Sequence, residues 1–312
     1  ATLWSPYYHI VVRDIATTRP LTEAPPDLAT MKDPPLFVVS VNQDFYHIDG
    51  AQNPARYSPG SHAGELAAKQ RAQYQVPYLL AGPRQRVLVV GAGGGADVQG
   101  ALTAGASYID AVEIDPVVAD ISRHFNADAP YTDPRVHLHV DDARSFLSKA
   151  SPDYDLITFG YLDSQALFSS MSNLRLDGYV YTVESIRTAY GLLNEKGVLT
   201  LSFGYGQHWL LLKLYRMVVE ATGRVPIFYE SPGHVVFCVP KTVLPAPPPR
   251  TINGLDLAMM PAMPQGGSRV RSYVVVSRLS RSSSSSSSAG LSICPASERA
   301  ASSAPGSPSR AR

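Results

Sequence analysis

The sequence predicts an α/β fold with a mostly parallel sheet, preceded by a small β-rich N-terminal domain. Three observations lead there. From Arg86 onward, short apolar strands alternate with helical stretches, the pattern of a parallel sheet covered by helices on both faces. A glycine-rich turn at 91–95, GAGGG, separates the first of these strands from its helix, the context in which such a turn can cradle a nucleotide. Upstream, IVV at 10–12 and LFVVSV at 36–41 read as strands, set between breakers such as APPDL and NPARYSPG.

In order, RVLVV is a strand and the residues after the glycines form a helix to about Ala104. YIDAVEI is the second strand, and PVVADISRHF the second helix, with Pro116 near its start. VHLHV, YDLITF and GVLTLSF continue the strands. DARSFLSKA, TVESIRTAYGLL and WLLLKLYRMVVEA are helices, the second stopped by a turn at NEKG. Strands near Ile227 and at HVVFCV finish the regular part. A helix from about Ala63 to Tyr74 links the N-terminal part to the core. The expected division is 1–80 for the β-rich domain with its helical linker, 81–244 for the core and 245–312 for a disordered tail. That tail carries seven consecutive serines at 282–288 and no core pattern.

The 312 residues are 45% apolar and 17% charged, which suits a globular protein with a sizeable core. A net charge of +1 conceals a basic tail, with seven Arg against one Glu from Arg269 onward, so the remainder carries 1 − 6 = −5. An acidic body favours cationic partners. Cys238 and Cys294 form neither a metal spacing nor a disulfide framework, and Cys238 in VVFCV reads as a buried, inert thiol. A reducing, cytoplasmic location is expected. No stretch reaches the roughly 18 apolar residues of a membrane span. The start at Ala1 leaves room for an upstream membrane segment, which would make the chain the cytosolic part of an anchored protein.

The chemistry concentrates at three successive strand ends. Gly91 and Gly93 would let the backbone turn sharply and approach a ligand, and Gly95 would permit close strand–helix packing. Asp97 follows in the first turn of the helix. Taken alone, this turn also fits NAD enzymes. Glu113, 113 − 91 = 22 residues after the first glycine, ends the second strand. It can accept hydrogen bonds from both ribose hydroxyls or stand as a solvated carboxylate. Asp142 opens the helix after the third strand, where it can accept from an adenine amino group or cap the helix, while Ala143 leaves room for the ring. Together the three motifs point to an S-adenosyl nucleoside. The scattered histidines form no metal pattern, and neither a Ser–His–Asp arrangement nor a phosphate loop ending in GK[ST] is present.

In order and spacing, VLVVGAGGG, AVEIDP, DPRV, DDARSFL, YDLITF, YTVESI and GVLTLSF resemble the core of the spermidine synthase (polyamine aminopropyltransferase) family. SPYYHIVV with LFVVSV is similar to that family's small β domain, and FYESPGHVVFCV resembles its closing strands. The resemblance runs from about residue 4 to 240, and its core motifs are shared with class I methyltransferases. It implies a Rossmann-like class I methyltransferase fold. It also implies S-adenosylmethionine or its decarboxylated form as cofactor, no metal, and a small-molecule amine or other small acceptor. A homodimer is an expected assembly and nucleic acid an unexpected partner.

Two departures bear on activity. The family's glycine turn reads GGGDG, its Asp helping to hold the donor's amine, and here Gly94 stands at that position. The family loop after the fourth strand reads DSSDP, its first Asp the general base. Here Gly160 stands first, Tyr161 and Leu162 follow, and Asp163 aligns with the second Asp. The resemblance therefore leaves Asp163, and less directly Tyr161, as the candidate catalytic groups, with binding of a cationic acceptor or capping of the next helix as the other roles open to Asp163. It also implies that Gly160→Asp would raise activity. Gln43 in VNQDFYH and Tyr229 are the candidate acceptor-binding residues, although Tyr229 lies one residue further from Gly233 than the family spacing. Three readings stay open: an aminopropyltransferase, an S-adenosylmethionine-dependent methyltransferase, and a non-catalytic nucleoside-binding sensor.

Overall fold

A computed structural model describes residues 1–162, 180–205, 208–231, 233–244 and 246–258, all within the compact unit Ala1–Ala262. Asp163 and residues 259–312, most of the expected tail, lie outside the described residues.

Four strands, β1 (Thr2–Trp4), β2 (His9–Asp14), β3 (Phe37–Val41) and β4 (Asp44–Asp49), form an antiparallel meander in chain order. Its buried face, with Ile10, Val12, Phe37 and Val39, packs on Val118, Ile121 and Phe125 of helix α3 (Pro116–Phe125). The β3–β4 hairpin turns at Asn42 and Gln43, both with positive φ, the backbone that suits right-twisted strands.

Helix α1 (His62–Ala81), capped by Ser61, joins this meander to the core. It is longer than the sequence predicts, passing through Pro77 where a stop is normal. Val76, Pro77, Tyr78 and Leu80 are buried. That burial outweighs the roughly 3 kcal/mol a mid-helix proline costs.

The core is a nine-stranded sheet. Its parallel part runs β7 (Val136–Val140), β6 (Tyr108–Glu113), β5 (Arg86–Val90), β8 (Tyr154–Phe159) and β9 (Leu193–Gly204). Antiparallel β11 (His234–Pro240) and β10 (Ile227–Ser231) extend it beyond β9. Helices α2 (Ala96–Thr103), α3, α4 (Ala143–Lys149), α5 (Val183–Leu192) and α6 (His208–Thr222) alternate with the strands. This is the Rossmann-like fold that the sequence predicts. The strand order reverses at β5, which pairs with β6 on one side and β8 on the other. Ligands of open α/β sheets bind beyond the strand ends at such a point.

Two expectations need correction here. NEKG does not separate α5 from its strand: pairing with β8 starts at Leu193 and, after a register shift, resumes at Val198. Asn194 and Lys196 bulge between, Asn194 bonding Asp155 at 2.8 Å. Nor does the fold end near Leu244. β12 (Thr251–Ile252) and β13 (Leu255–Ala258) form a hairpin on Asn253–Gly254, and β13 pairs with β10. Asn-Gly with both φ positive is a strong hairpin turn. Ile252 is buried, and Leu255 and Leu257 pack on the core. Among the described residues no helix is long and apolar enough to cross a membrane.

Candidate active site

The glycine turn joins β5 to α2 at the switch point. Gly91, Gly93 and Gly95 all take positive φ, 71°, 51° and 89°, a backbone that a side chain would strain. A Cβ at Gly95 would lie 2.6 Å from Pro130, so that glycine also allows close packing. Nothing lies within 4 Å of a Cβ position at Gly93, so this side of the turn is open.

The turn is held by side chains from three other places. Glu113 accepts from Gly93 N at 2.8 Å and from Asp115 N at 2.9 Å. Tyr131 Oη donates to Gly93 O at 2.6 Å, and Ser122 Oγ donates to Gly94 O at 2.5 Å. Glu113 is buried, which pushes its carboxyl above the usual range despite these bonds. Next to it, Asp141 N donates to Glu113 O at 3.2 Å. Asp142 caps α4 by accepting from Ser145 N at 2.9 Å, with Ala143 buried behind it.

A small, partly open pocket lies against the turn. Its walls include His47 and Asp49 of β4, Tyr74 of α1, Gly91–Gly94 and Asp97, and Tyr161 and Leu162 after β8. Asp49 and Asp97 are 2% and 3% exposed, against a pocket otherwise rich in aromatic groups. Asp49 Oδ1 accepts from Gly50 N at 2.6 Å and Asn126 Nδ2 at 3.0 Å. Its Oδ2, His47 Nε2 and Asp97 Oδ1 are buried without a hydrogen bond. Burial pushes both carboxyls up to about 7 and His47 down to about 4. Tyr161 meets Tyr74 and His234 edge-on at 5.5 and 5.6 Å. Tyr181, from YTVES, places its hydroxyl 2.9 Å from Gly160 O and 3.0 Å from Ser202 O, fixing the loop where β8 ends.

The structure thus brings Gly91, Gly93, Asp97 and Tyr161 together, with Glu113 one hydrogen bond behind. It does not bring Gln43 or Tyr229. Gln43 is exposed at the β3–β4 turn because Asn42–Gln43 are the two residues of that turn. Tyr229 is 1% exposed, packs in the cluster with Val198 and Val236, and donates to Pro249 O. Strand alternation puts its neighbour Glu230 on the opposite face, where it accepts from Tyr205 Oη.

Sequence reasoning missed His47 and Asp49. The clue was IDG at the end of β4, a carboxylate on a strand followed by a positive-φ glycine.

The family model for the spermine/spermidine synthase domain matches residues 68–242, more than half of the chain. The chain belongs to the spermine/spermidine synthase family. Over 122 residues it is 30% identical to a polyamine aminopropyltransferase of Thermoplasma volcanium, covering 35% of this chain and 45% of the relative. Over 164 residues it is 28% identical to that of Pectobacterium atrosepticum, covering 49% and 55%. The chain thus spans about half the length of these curated relatives. A solved structure described as a probable spermidine synthase from Corynebacterium glutamicum aligns at a TM-score of 0.51 and 17% identity, covering 78% of this chain and 80% of that one. At that identity the likeness is one of fold.

The spermidine synthase fold makes the region around Gly160 informative. A Cβ there would lie 2.7 Å from Asp97 Oδ2 and 2.9 Å from Gly91 O. Gly160→Asp would therefore press a second carboxylate against a buried one, which argues against the gain in activity that the resemblance implies. Overpacking of this kind costs about 1–3 kcal/mol, so the variant should melt below wild type and lose turnover. A variant with raised turnover and unchanged melting temperature would show that the Asp97 carboxyl is not beside this position.

Proposed function

We propose that the chain is an aminopropyltransferase that uses decarboxylated S-adenosylmethionine and a small amine acceptor in the cytoplasm. The observation that carries this reading is the pair of buried carboxyls, Asp49 and Asp97, each with a bare oxygen in one aromatic-walled pocket beside the glycine turn. Such a pocket suits ammonium groups, through charge-assisted hydrogen bonds and cation–π contact. A methyltransferase must instead hold the carboxylate of S-adenosylmethionine, which two buried carboxylates would repel. His47 does not offset them, because burial keeps it neutral at neutral pH.

The proposed nucleoside site also fits these residues. The open face at Gly93 leaves room for close approach of a nucleoside, and in this reading Glu113 would meet the ribose hydroxyls and Asp142 with Ala143 the adenine. The donor supplies a sulfonium-activated carbon, and the chain's residues hold it and handle the proton.

Calorimetric titration with S-adenosylmethionine, its decarboxylated form and 5′-methylthioadenosine tests the reading, together with 5′-methylthioadenosine release in the presence of several amines. Tighter binding of the decarboxylated donor and amine-dependent release are expected. Preference for S-adenosylmethionine would replace the reading with methyl transfer, and binding without turnover would replace it with a nucleoside sensor.

A further inference from the structure

The two pocket carboxyls differ in how they are held, and the difference separates two tasks. Asp49 is fixed by two hydrogen bonds on Oδ1, leaving Oδ2 bare. A Cβ at Gly94 would overlap that carboxyl and come 3.0 Å from His47 Nε2. Asp49 therefore reaches into the glycine turn itself, against the backbone that the donor contacts in the proposed function. Asp97 Oδ1 is bare, and its Oδ2 lies 2.7 Å from a Cβ position at Gly160, at the end of β8. Burial raises both carboxyls to about 7, so position separates them: Asp49 abuts the glycine turn at Gly94 and Asp97 abuts the end of β8 at Gly160. The absence of side chains at Gly94 and Gly160 makes room for both groups.

Resting on the proposed function, we propose that Asp97 is the proton acceptor for the attacking amine and that Asp49 anchors the ammonium group of the aminopropyl donor. Carboxylates delivered by α2 and β4 thus serve the two positions that Gly160 and Gly94 leave without one. Asp97 takes one proton from the acceptor's ammonium and frees its lone pair. That pair forms the new C–N bond to the methylene carbon next to the sulfonium. The C–S bond breaks, its electrons stay on sulfur as 5′-methylthioadenosine, and the product leaves as a secondary ammonium.

Asp49→Asn and Asp97→Asn, both close to isosteric, are compared with wild type by calorimetry and by 5′-methylthioadenosine release. Asp49→Asn should bind the decarboxylated donor about ten- to hundredfold more weakly. Its affinity for 5′-methylthioadenosine, which lacks the ammonium, should stay unchanged. Asp97→Asn should keep both affinities and lose about 10²-fold or more in turnover. Retained nucleoside binding in each variant reports an intact fold. If wild type turns over and Asp97→Asn does so equally well, or Asp49→Asn keeps full preference for the decarboxylated donor, the assignment is overturned while the function stands. A wild type that releases no 5′-methylthioadenosine with any amine overturns both.

Discussion

Glu113→Ala should weaken 5′-methylthioadenosine binding by about 1.5–3 kcal/mol, the range for hydrogen bonds to a charged group, and should also lower the melting temperature. The second effect comes from the structure. A strand-end carboxylate reads from sequence as nearly free of structural duty, so that its removal would spare the fold. In the structure Glu113 is 3% exposed and accepts from the backbone of Gly93 and Asp115. Its loss leaves the buried Asp115 N–H without an acceptor, at a cost of about 1–3 kcal/mol, and frees the part-buried Gly93 N–H that it holds in the turn. Glu113→Gln keeps the shape and part of the acceptor capacity, so it should fall between wild type and Ala on both measures. Calorimetry and thermal melts on the three proteins check this. An unchanged nucleoside affinity in Glu113→Ala would remove the ribose role and leave Glu113 as a buttress of the turn.

Without ligand, the protein should melt higher at pH 6 than at pH 8. A carboxyl whose pKa is raised in the folded state stabilises the fold below its unfolded value and loses that contribution as pH rises through the folded pKa. Asp49 and Asp97 are both raised to about 7 by burial, Asp49 further by the nearby Asp128 charge and against its bonds to Gly50 and Asn126. Tyr78 and Tyr131, near Asp97, stay protonated throughout, since burial raises both. Glu113, also raised by burial, acts in the same direction. The two pocket carboxyls together contribute on the order of 2–3 kcal/mol across that interval. His47 and His234, both lowered by burial, oppose the gain once the pH drops below the ordinary histidine value of about 6.5. The gain should therefore level off near pH 6. Differential scanning calorimetry of wild type and Asp49→Asn/Asp97→Asn resolves it. The double variant should be the more stable protein at pH 8 and should lose most of the pH dependence. Equal slopes would mean that neither carboxyl is desolvated in solution.

What the sequence determined by itself was local. The β5–GAGGG–α2 unit, the alternation from Arg86 to Cys238 and the Asp142 cap each depend on residues within a few positions of one another. Backbone geometry and short-range hydrogen bonds decide them, and these are written in neighbouring residue types. The Asn253–Gly254 turn is equally local, but the sequence pattern assigns it to the tail, because only pairing of β13 with β10 shows that the hairpin joins the sheet. Only the tertiary structure decided the rest. Burial of Val76, Tyr78 and Leu80 carried α1 through Pro77. The pairing of β10 with β11 set Tyr229 facing the core rather than the pocket. The convergence of Asp49 and Asp97 required the β4 strand to meet the glycine turn across a separation of 97 − 49 = 48 residues. No periodicity records that meeting, because it follows from how the N-terminal meander packs on α3 and how α1 spans to the sheet. Desolvation then gives the two carboxyls a basicity that neither has as an isolated side chain.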